Sequence, residues 1–191
     1  MAIKEQRILD IFRETGALLS GHFLLSSGLH SDRYLQCARV LQHPRHASEF
    51  GGAIADQFND EGITCVAGPA LGGIIIAHEV AKALGKGCIF GEREDGRMTF
   101  RRGFEVGPRD KVLVVEDVVT TGRSINELIA AIRSKGASVA GVGAIVDRGS
   151  GKVDFGCDFR SLVKIDVKTF KPEECPLCKQ NLPLIKPGSR K

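Results

Sequence analysis

One stretch, Lys111 to Ser124 (KVLVVEDVVTTGRS), constrains this chain more than any other. Its four apolar residues, Val112 to Val115, are rich in valine and predict a strand buried on both faces. Two adjacent carboxylates, Glu116 and Asp117, come next, followed by the small-residue turn Thr120-Thr121-Gly122. Ser124 with Glu127 three residues later has the pattern of a capping box, so a helix is expected to start at Ser124. Unpaired N–H groups and the positive end of the helix dipole meet at such a start, which therefore favours an anion.

The residue types refine that expectation. Gly122 lets the backbone come close to a ligand, and Thr120 and Thr121 add hydroxyl donors. Hydrogen bonds of this kind to a charged acceptor contribute about 1.5–3 kcal/mol each. Glu116 and Asp117 would repel a phosphate, but they suit ribose hydroxyls as acceptors and a nearby Mg2+. Taken singly, an acidic pair at a strand end reads as a hydrophilic loop. Taken with the turn and the helix start, it reads as a holder for a phosphorylated sugar.

Composition sets the outer bounds. At 191 residues one domain is expected, with ample material for a core. Hydrophobic residues at 42% and charged residues at 26% are ordinary for a soluble globular protein. The formal charge of +4 suits a small anionic substrate without demanding nucleic acid. The N-terminus lacks the basic-then-apolar plan of a signal peptide, and the most apolar stretch, Val66 to Ala77, is glycine-broken and too short to span a bilayer. A cytoplasmic location is expected. Six scattered cysteines point to reduced thiols rather than a disulfide framework.

In chain order, residues 2–15 predict a helix with Ile8, Ile11 and Phe12 on one face and Gly16 as its stop. Gly21 to Gln36 predicts a hairpin with its turn near Ser27-Gly28, either an edge hairpin or a hood over a substrate. A helix is expected over residues 45–61, with Phe50, Ile54 and Phe58 on one face. The strand Ile63 to Ala67 then runs into the glycine-rich loop Gly68 to Gly73 and a helix from about Ile74 to Leu84, which together suggest a second anion site. After a strand at residues 87–92 comes the most polar stretch, Glu92 to Arg109, with five arginines. It reads as a solvated hairpin or, lying between two sheet strands, as a mobile lid.

The helix after Ser124 carries Ile125, Leu128, Ile129 and Ile132 on its buried face. The strand Ser138 to Val146 ends in Asp147-Arg148, a charged pair at the sheet edge where ligands bind in parallel α/β folds, or else a simple surface ion pair. A last strand is expected over residues 159–167. Beyond residue 170 the chain is rich in proline and includes Cys175 and Cys178. This CxxC pair has the spacing of half a zinc site, but no second Cys/His pair lies near it in the sequence, so no metal ligand is assigned and two readings stay open, a reduced structural pair or a metal shared across a dimer. The end, KPGSRK, is expected to be disordered.

The apolar strand, the two acidic residues, the short apolar pair and the Thr/Gly/Ser turn of Lys111–Ser124 resemble the phosphoribosyl pyrophosphate (PRPP) signature of the type I phosphoribosyltransferases. The segment SSGLHSDRY after the first helix, and Arg148, are similar to the matching parts of the orotate enzymes within that family. The resemblance implies an α/β fold, with a mostly parallel central sheet, helices on both faces and a small N-terminal hood from about residue 17 to 40. It makes residues 1–170 one domain and residues 171–191 a tail containing proline and cysteine. PRPP would be held by Arg93, Glu116, Asp117, Val118, Val119, Thr120, Thr121, Gly122, Arg123 and Ser124, with Thr121 to Ser124 on its 5'-phosphate. Asp117, Glu116 and Arg93 would be catalytic, and Thr120 and Arg148 would orient orotate.

The loop at Gly68 to Gly73 would bind pyrophosphate, and in this family it often has a non-proline cis peptide. Two family lysines are absent here, replaced by Ser26 and Gly72. The implied reaction is Mg2+-dependent transfer of ribose 5-phosphate from PRPP to orotate, giving orotidine 5'-monophosphate and pyrophosphate. The implied assembly is a homodimer whose lid is shared across subunits, with no nucleic-acid or membrane partner. Two other readings stay open: transfer to a purine base, and a regulator that only binds PRPP.

Overall fold

Alternation along Val112–Val115 sets the architecture. Val112 and Val114 enter one hydrophobic cluster, while Leu113 and Val115 enter another on the opposite side of the sheet. A strand buried on both faces belongs in the middle of a covered parallel sheet. A computed structural model describes residues 3–25, 27–59, 61–149 and 153–187 of the chain and shows that arrangement.

The elements run in order as α1 (Glu5–Glu14), β1 (Leu18–Leu24), β2 (His30–Leu35), α2 (Ala38–Leu41), α3 (Pro44–Gln57), β3 (Cys65–Pro69) and α4 (Gly72–Leu84). They continue with β4 (Gly87–Glu94), β5 (Arg97–Phe100), β6 (Lys111–Val119), α5 (Arg123–Ser134), β7 (Ser138–Asp147), β8 (Phe159–Lys164), β9 (Thr169–Phe170) and α6 (Pro176–Lys179). The six-stranded sheet has the order β5-β4-β3-β6-β7-β8. All its pairings are parallel except that of β4 with β5.

The core of α1, α3 and α4 covers one face, with Ile8, Phe12, Phe50, Ile54 and Ile76 buried there. The rings of Phe12 and Phe50 meet edge to face at 5.9 Å. α5 covers the other face through Ile125, Leu128, Ile129 and Ile132. From β3 the chain passes through α4 to β4 on one side, and from β6 through α5 to β7 on the other. The order therefore reverses between β3 and β6, and a crevice opens there at the strands' carboxyl ends.

Several expectations are corrected. The capping box at Ser124 does not form. α5 starts at Arg123, with Gly122 at the N-cap (φ 70°) and no side-chain cap bond. Glu127 instead accepts from Arg93 at 2.6 Å and from Arg123 at 2.8 Å, because two guanidinium groups outcompete one backbone amide for a carboxylate. α1 begins at Glu5, since Lys4 is extended. α3 ends at Gln57, short of residue 61, where Phe58 leaves helical geometry and turns into the core. The polar stretch after β4, by contrast, forms the hairpin that was one of its two readings: β5 pairs antiparallel with β4 through a turn with Asp95 and Gly96 both at positive φ.

A second sheet, β1-β2-β9, forms the hood. β9 pairs with β2, and the chain then returns along β1, where Ile185 exchanges backbone bonds with His22 and Leu24 at 2.8 Å. Residues 169–187 are thus woven into the hood on both of its sides. Lys186 and Pro187 are the described part of the KPGSRK end, and the remaining 188–191 lie outside the described residues, as does Ser26. The CxxC pair also differs from its expectation: the fold brings Cys175 and Cys178 against His22 and His30, more than 140 residues away in sequence. Strand pairing across the hood, invisible in local spacing, supplies this second pair.

Candidate active site

The crevice at the sheet reversal holds two adjoining cavities. The smaller, about 200 Å³, is lined by Glu116 and by Val118 to Ile125. It is a cup of backbone and hydroxyl groups at the start of α5. The larger, about 770 Å³, lies between the hood and the sheet. Asp117, Val118, Thr120, Thr121 and Arg148 form its floor, with Leu25, Tyr34 and Lys186 opposite. Val118, Thr120 and Thr121 line both cavities, so a ligand can extend from one into the other.

The carboxylate pair sits at this junction. Glu116 is buried and Asp117 is half-buried. Burial first, and then the neighbouring Asp117 charge, pushes the Glu116 carboxyl up to about 9. Burial also raises Asp117, against the bond that its Oδ1 accepts from the Val118 N–H at 2.7 Å. Two carboxylates this close hold one proton between them. A nearby cation or ribose hydroxyl donors would favour the ionised form, and hard oxygen donors of this kind fit Mg2+ with a phosphorylated ligand.

The loop between β3 and α4 presses on the pair from above. A Cβ at residue 72 would lie 2.9 Å from Asp117 Oδ1, and one at residue 73 would lie 2.7 Å from Pro69 Cδ and 2.9 Å from the Val115 carbonyl. The second approach, onto ring and backbone atoms, requires Gly73, whereas at residue 72 the nearest atoms are the terminal carboxylate of Asp117, which can shift. The Ala70–Leu71 peptide bond is cis.

Of the residues singled out in the sequence, the fold brings Glu116, Asp117, Val118, Val119, Thr120, Thr121, Gly122, Arg123, Ser124 and Arg148 around the two cavities. The Arg148 N–H donates to the Val119 carbonyl at 2.8 Å, which ties the end of β7 to β6. Asp147 accepts from the Gly149 N–H rather than pairing with Arg148. Arg93 stands apart from both cavities, with its guanidinium on Glu127 at the outer face of α5. Arg123 contributes its backbone to the cup, while its side chain points outward to Glu127. Arg101 and Arg102 engage Glu94 and Glu92 of their own hairpin at 3.3 and 3.1 Å.

Tyr34, the last residue of the SSGLHSDRY segment, lines the larger cavity, and so do Cys37, Val167 and Lys186, which the sequence did not single out. These three carry no local motif, and only the hood's pairing brings them there. Cys37 is buried beneath the cavity, and that burial raises its thiol well above the ordinary value.

Comparison with known proteins gives the family. The phosphoribosyl transferase domain family matches residues 36–174. An orotate phosphoribosyltransferase of Caldanaerobacter subterraneus subsp. tengcongensis is 53% identical over 189 residues, covering 99% of this chain and all of the relative. One of Pelotomaculum thermopropionicum is 53% identical over 184 residues, covering 96% of this chain and 97% of the relative. Among solved structures, orotate phosphoribosyltransferase from Aeropyrum pernix superposes with a TM-score of 0.70 at 27% identity, covering 83% of this chain and 93% of that one.

Proposed function

This chain belongs to the phosphoribosyltransferase family, and from that premise we propose that it transfers the ribose 5-phosphate group of PRPP to orotate, releasing pyrophosphate. One observation supports this reading most. The phosphate cup, the carboxylate pair and the Arg148 guanidinium converge on one crevice that the hood covers. Enzymes of this family are generally metal-dependent, and Mg2+ is the metal proposed here, because the pair at Glu116 and Asp117 offers oxygen donors that repel one another without a cation.

The charges suggest the division of labour. Thr121 to Ser124 hold the 5'-phosphate through backbone N–H groups and hydroxyls at the start of α5. Glu116 and Asp117 accept bonds from the ribose hydroxyls. As pyrophosphate leaves, positive charge develops on the sugar ring, and the ionised pair favours it electrostatically. Mg2+ held beside Glu116 and Asp117 would supply positive charge against the departing pyrophosphate. The amides of the Gly68–Gly73 loop take its oxygens, and Arg93 joins them once it is released from Glu127. As the bond from the orotate ring nitrogen to C1' forms and the bond to pyrophosphate breaks, the ring N–H gives up its proton, for which the released pyrophosphate, a basic anion, is an acceptor. Thr120 and Arg148 orient the orotate ring, with Arg148 suited to a bidentate contact. Catalysis is then mainly positioning and charge stabilisation in a closed site.

The proposed assembly is a homodimer with the arginine-bearing hairpin shared across subunits. Its proposed location is the cytoplasm, which matches six free thiols. Among the described residues no helix is long and apolar enough to cross a membrane.

A base panel tests the reading. PRPP, Mg2+ and either orotate, uracil, xanthine, adenine or hypoxanthine are supplied in turn, and pyrophosphate release is measured. Release with orotate alone is the expected result. Release with a purine and none with orotate would overturn the proposal, and PRPP binding without turnover of any base would make the chain a regulator.

A further inference from the structure

We propose that the hood carries a structural zinc ion bound by His22, His30, Cys175 and Cys178. The four ligand atoms lie within 4.8 Å of one another, and His22, His30 and Cys175 are buried. Tetrahedral zinc, with bonds of about 2.0–2.1 Å to nitrogen and about 2.3 Å to sulfur, separates its ligand atoms by about 3.3–3.8 Å. Here Cys175 Sγ is 3.6 Å from His22 Nε2, and Cys178 Sγ is 3.7 Å from the same atom. Cys178 Sγ is 3.3 Å from His30 Nδ1, and the two ring nitrogens are 2.9 Å apart. The group is already close to the size of a zinc shell.

Its construction also fits. A β-bulge between Ser20 and Phe23 re-aims His22 on β1, and His30 stands diagonally across on β2, opposite Leu24. The CxxC spacing across the start of α6 turns both sulfurs toward them. Outside the group, the Leu182 carbonyl is 2.9 Å from His22 Nδ1, and a carbonyl only accepts, so Nδ1 carries the proton and Nε2 offers its lone pair inward. An outer bond that fixes the tautomer of a histidine in this way is the usual companion of a metal-binding imidazole. Neither cysteine is in a disulfide.

Two sulfurs and two nitrogens in a tetrahedral arrangement select zinc among the common divalent ions. All four positions are filled by protein groups, so the ion has no open site for a substrate and acts as a staple. It joins β1, β2 and the segment after β9. The next residues, 179–187, return along β1 and end at Lys186 and Pro187 on the wall of the larger cavity. The staple therefore fixes a wall of that cavity from outside it.

Elemental analysis of the full-length chain decides the matter. The protein is incubated with excess zinc, passed through a desalting column and measured. About one zinc per chain is expected, falling to less than about a tenth in Cys175→Ser/Cys178→Ser. Cobalt offered in place of zinc is expected to give the intense visible bands of a tetrahedral site together with a thiolate-to-cobalt charge-transfer band. That spectrum needs no variant, so it stands even if the double serine chain fails to fold. A wild-type chain that retains no zinc, a cobalt complex without the thiolate band, or a folded double variant that keeps its zinc would each overturn the proposal. The result is independent of which base the active site accepts.

Discussion

Glu116 is the residue whose chemistry reaches furthest, because it is a carboxyl buried at the junction of the two cavities. In the folded chain its carboxyl titrates near 9, against 4.5 for the same group in water. The folded form thus binds this proton more tightly than the unfolded chain does between those two values. Stability from this source is fully present below about pH 4.5 and is lost as pH rises toward about pH 9. Thermal unfolding of the ligand-free protein is therefore expected to show a Tm that falls between about pH 6 and about pH 9, by about 2–4 °C for each kcal/mol lost. Glu116→Gln mimics the protonated form, so its Tm should lose this part of the slope. Equal slopes in the two proteins over that range would show that the proton is not on Glu116. In the same range PRPP with Mg2+ should bind with release of a proton, seen by calorimetry in buffers of different ionisation enthalpy.

At the scale of elements, the site depends on how closely the loop between β3 and α4 can approach β6. Gly73 is the position where that approach is tightest. A methyl group there would meet Pro69 Cδ at 2.7 Å, the Val115 carbonyl at 2.9 Å and Glu116 Oε1 at 3.1 Å. Two of these three are backbone or ring atoms that cannot swing aside. Gly73→Ala is expected to cost about 1–3 kcal/mol of stability, the range for overpacking a filled site, and to displace the carboxylate pair. Denaturant unfolding gives the first quantity and the KM for PRPP the second. A variant with unchanged midpoint and unchanged KM would mean that the loop has slack. The strand, the turn and the helix around this loop were legible in the sequence, because their signals are local: apolar runs, a glycine cluster, a helical face at Ile125, Leu128, Ile129 and Ile132. The cap was misread for a related reason. Ser124 and Glu127 have the right spacing, but Arg93 arrives from β4 across the sheet and takes Glu127 away. Spacing along one segment carries no information about a competitor from another.

The whole molecule extends the same lesson. The parallel sheet and its crevice follow from the order of elements, so most of the residues proposed for the site could be placed around one crevice in advance. The hood's third strand, the return of residues 179–187 along β1 and the cluster at His22 and Cys175 all depend on pairings across some 150 residues, which no local pattern encodes. Assembly belongs to this scale too. Leu71 is 83% exposed and Ile75 47% exposed, beside the Gly68–Gly73 loop. Two large apolar side chains next to a charged crevice are costly to leave in water, at about 25 cal/mol for each Å² of apolar surface. The proposed homodimer would cover them with a second copy, whose Arg101 and Arg102 hairpin is proposed to reach this crevice. Sedimentation is therefore expected to give twice the chain mass of 20.6 kDa. Leu71→Asp with Ile75→Asp should shift the protein toward the single-chain mass and lower turnover about tenfold or more, since removal of a charge-stabilising arginine commonly costs at least that much. Wild-type protein that sediments as one chain at full activity would confine the site to a single subunit.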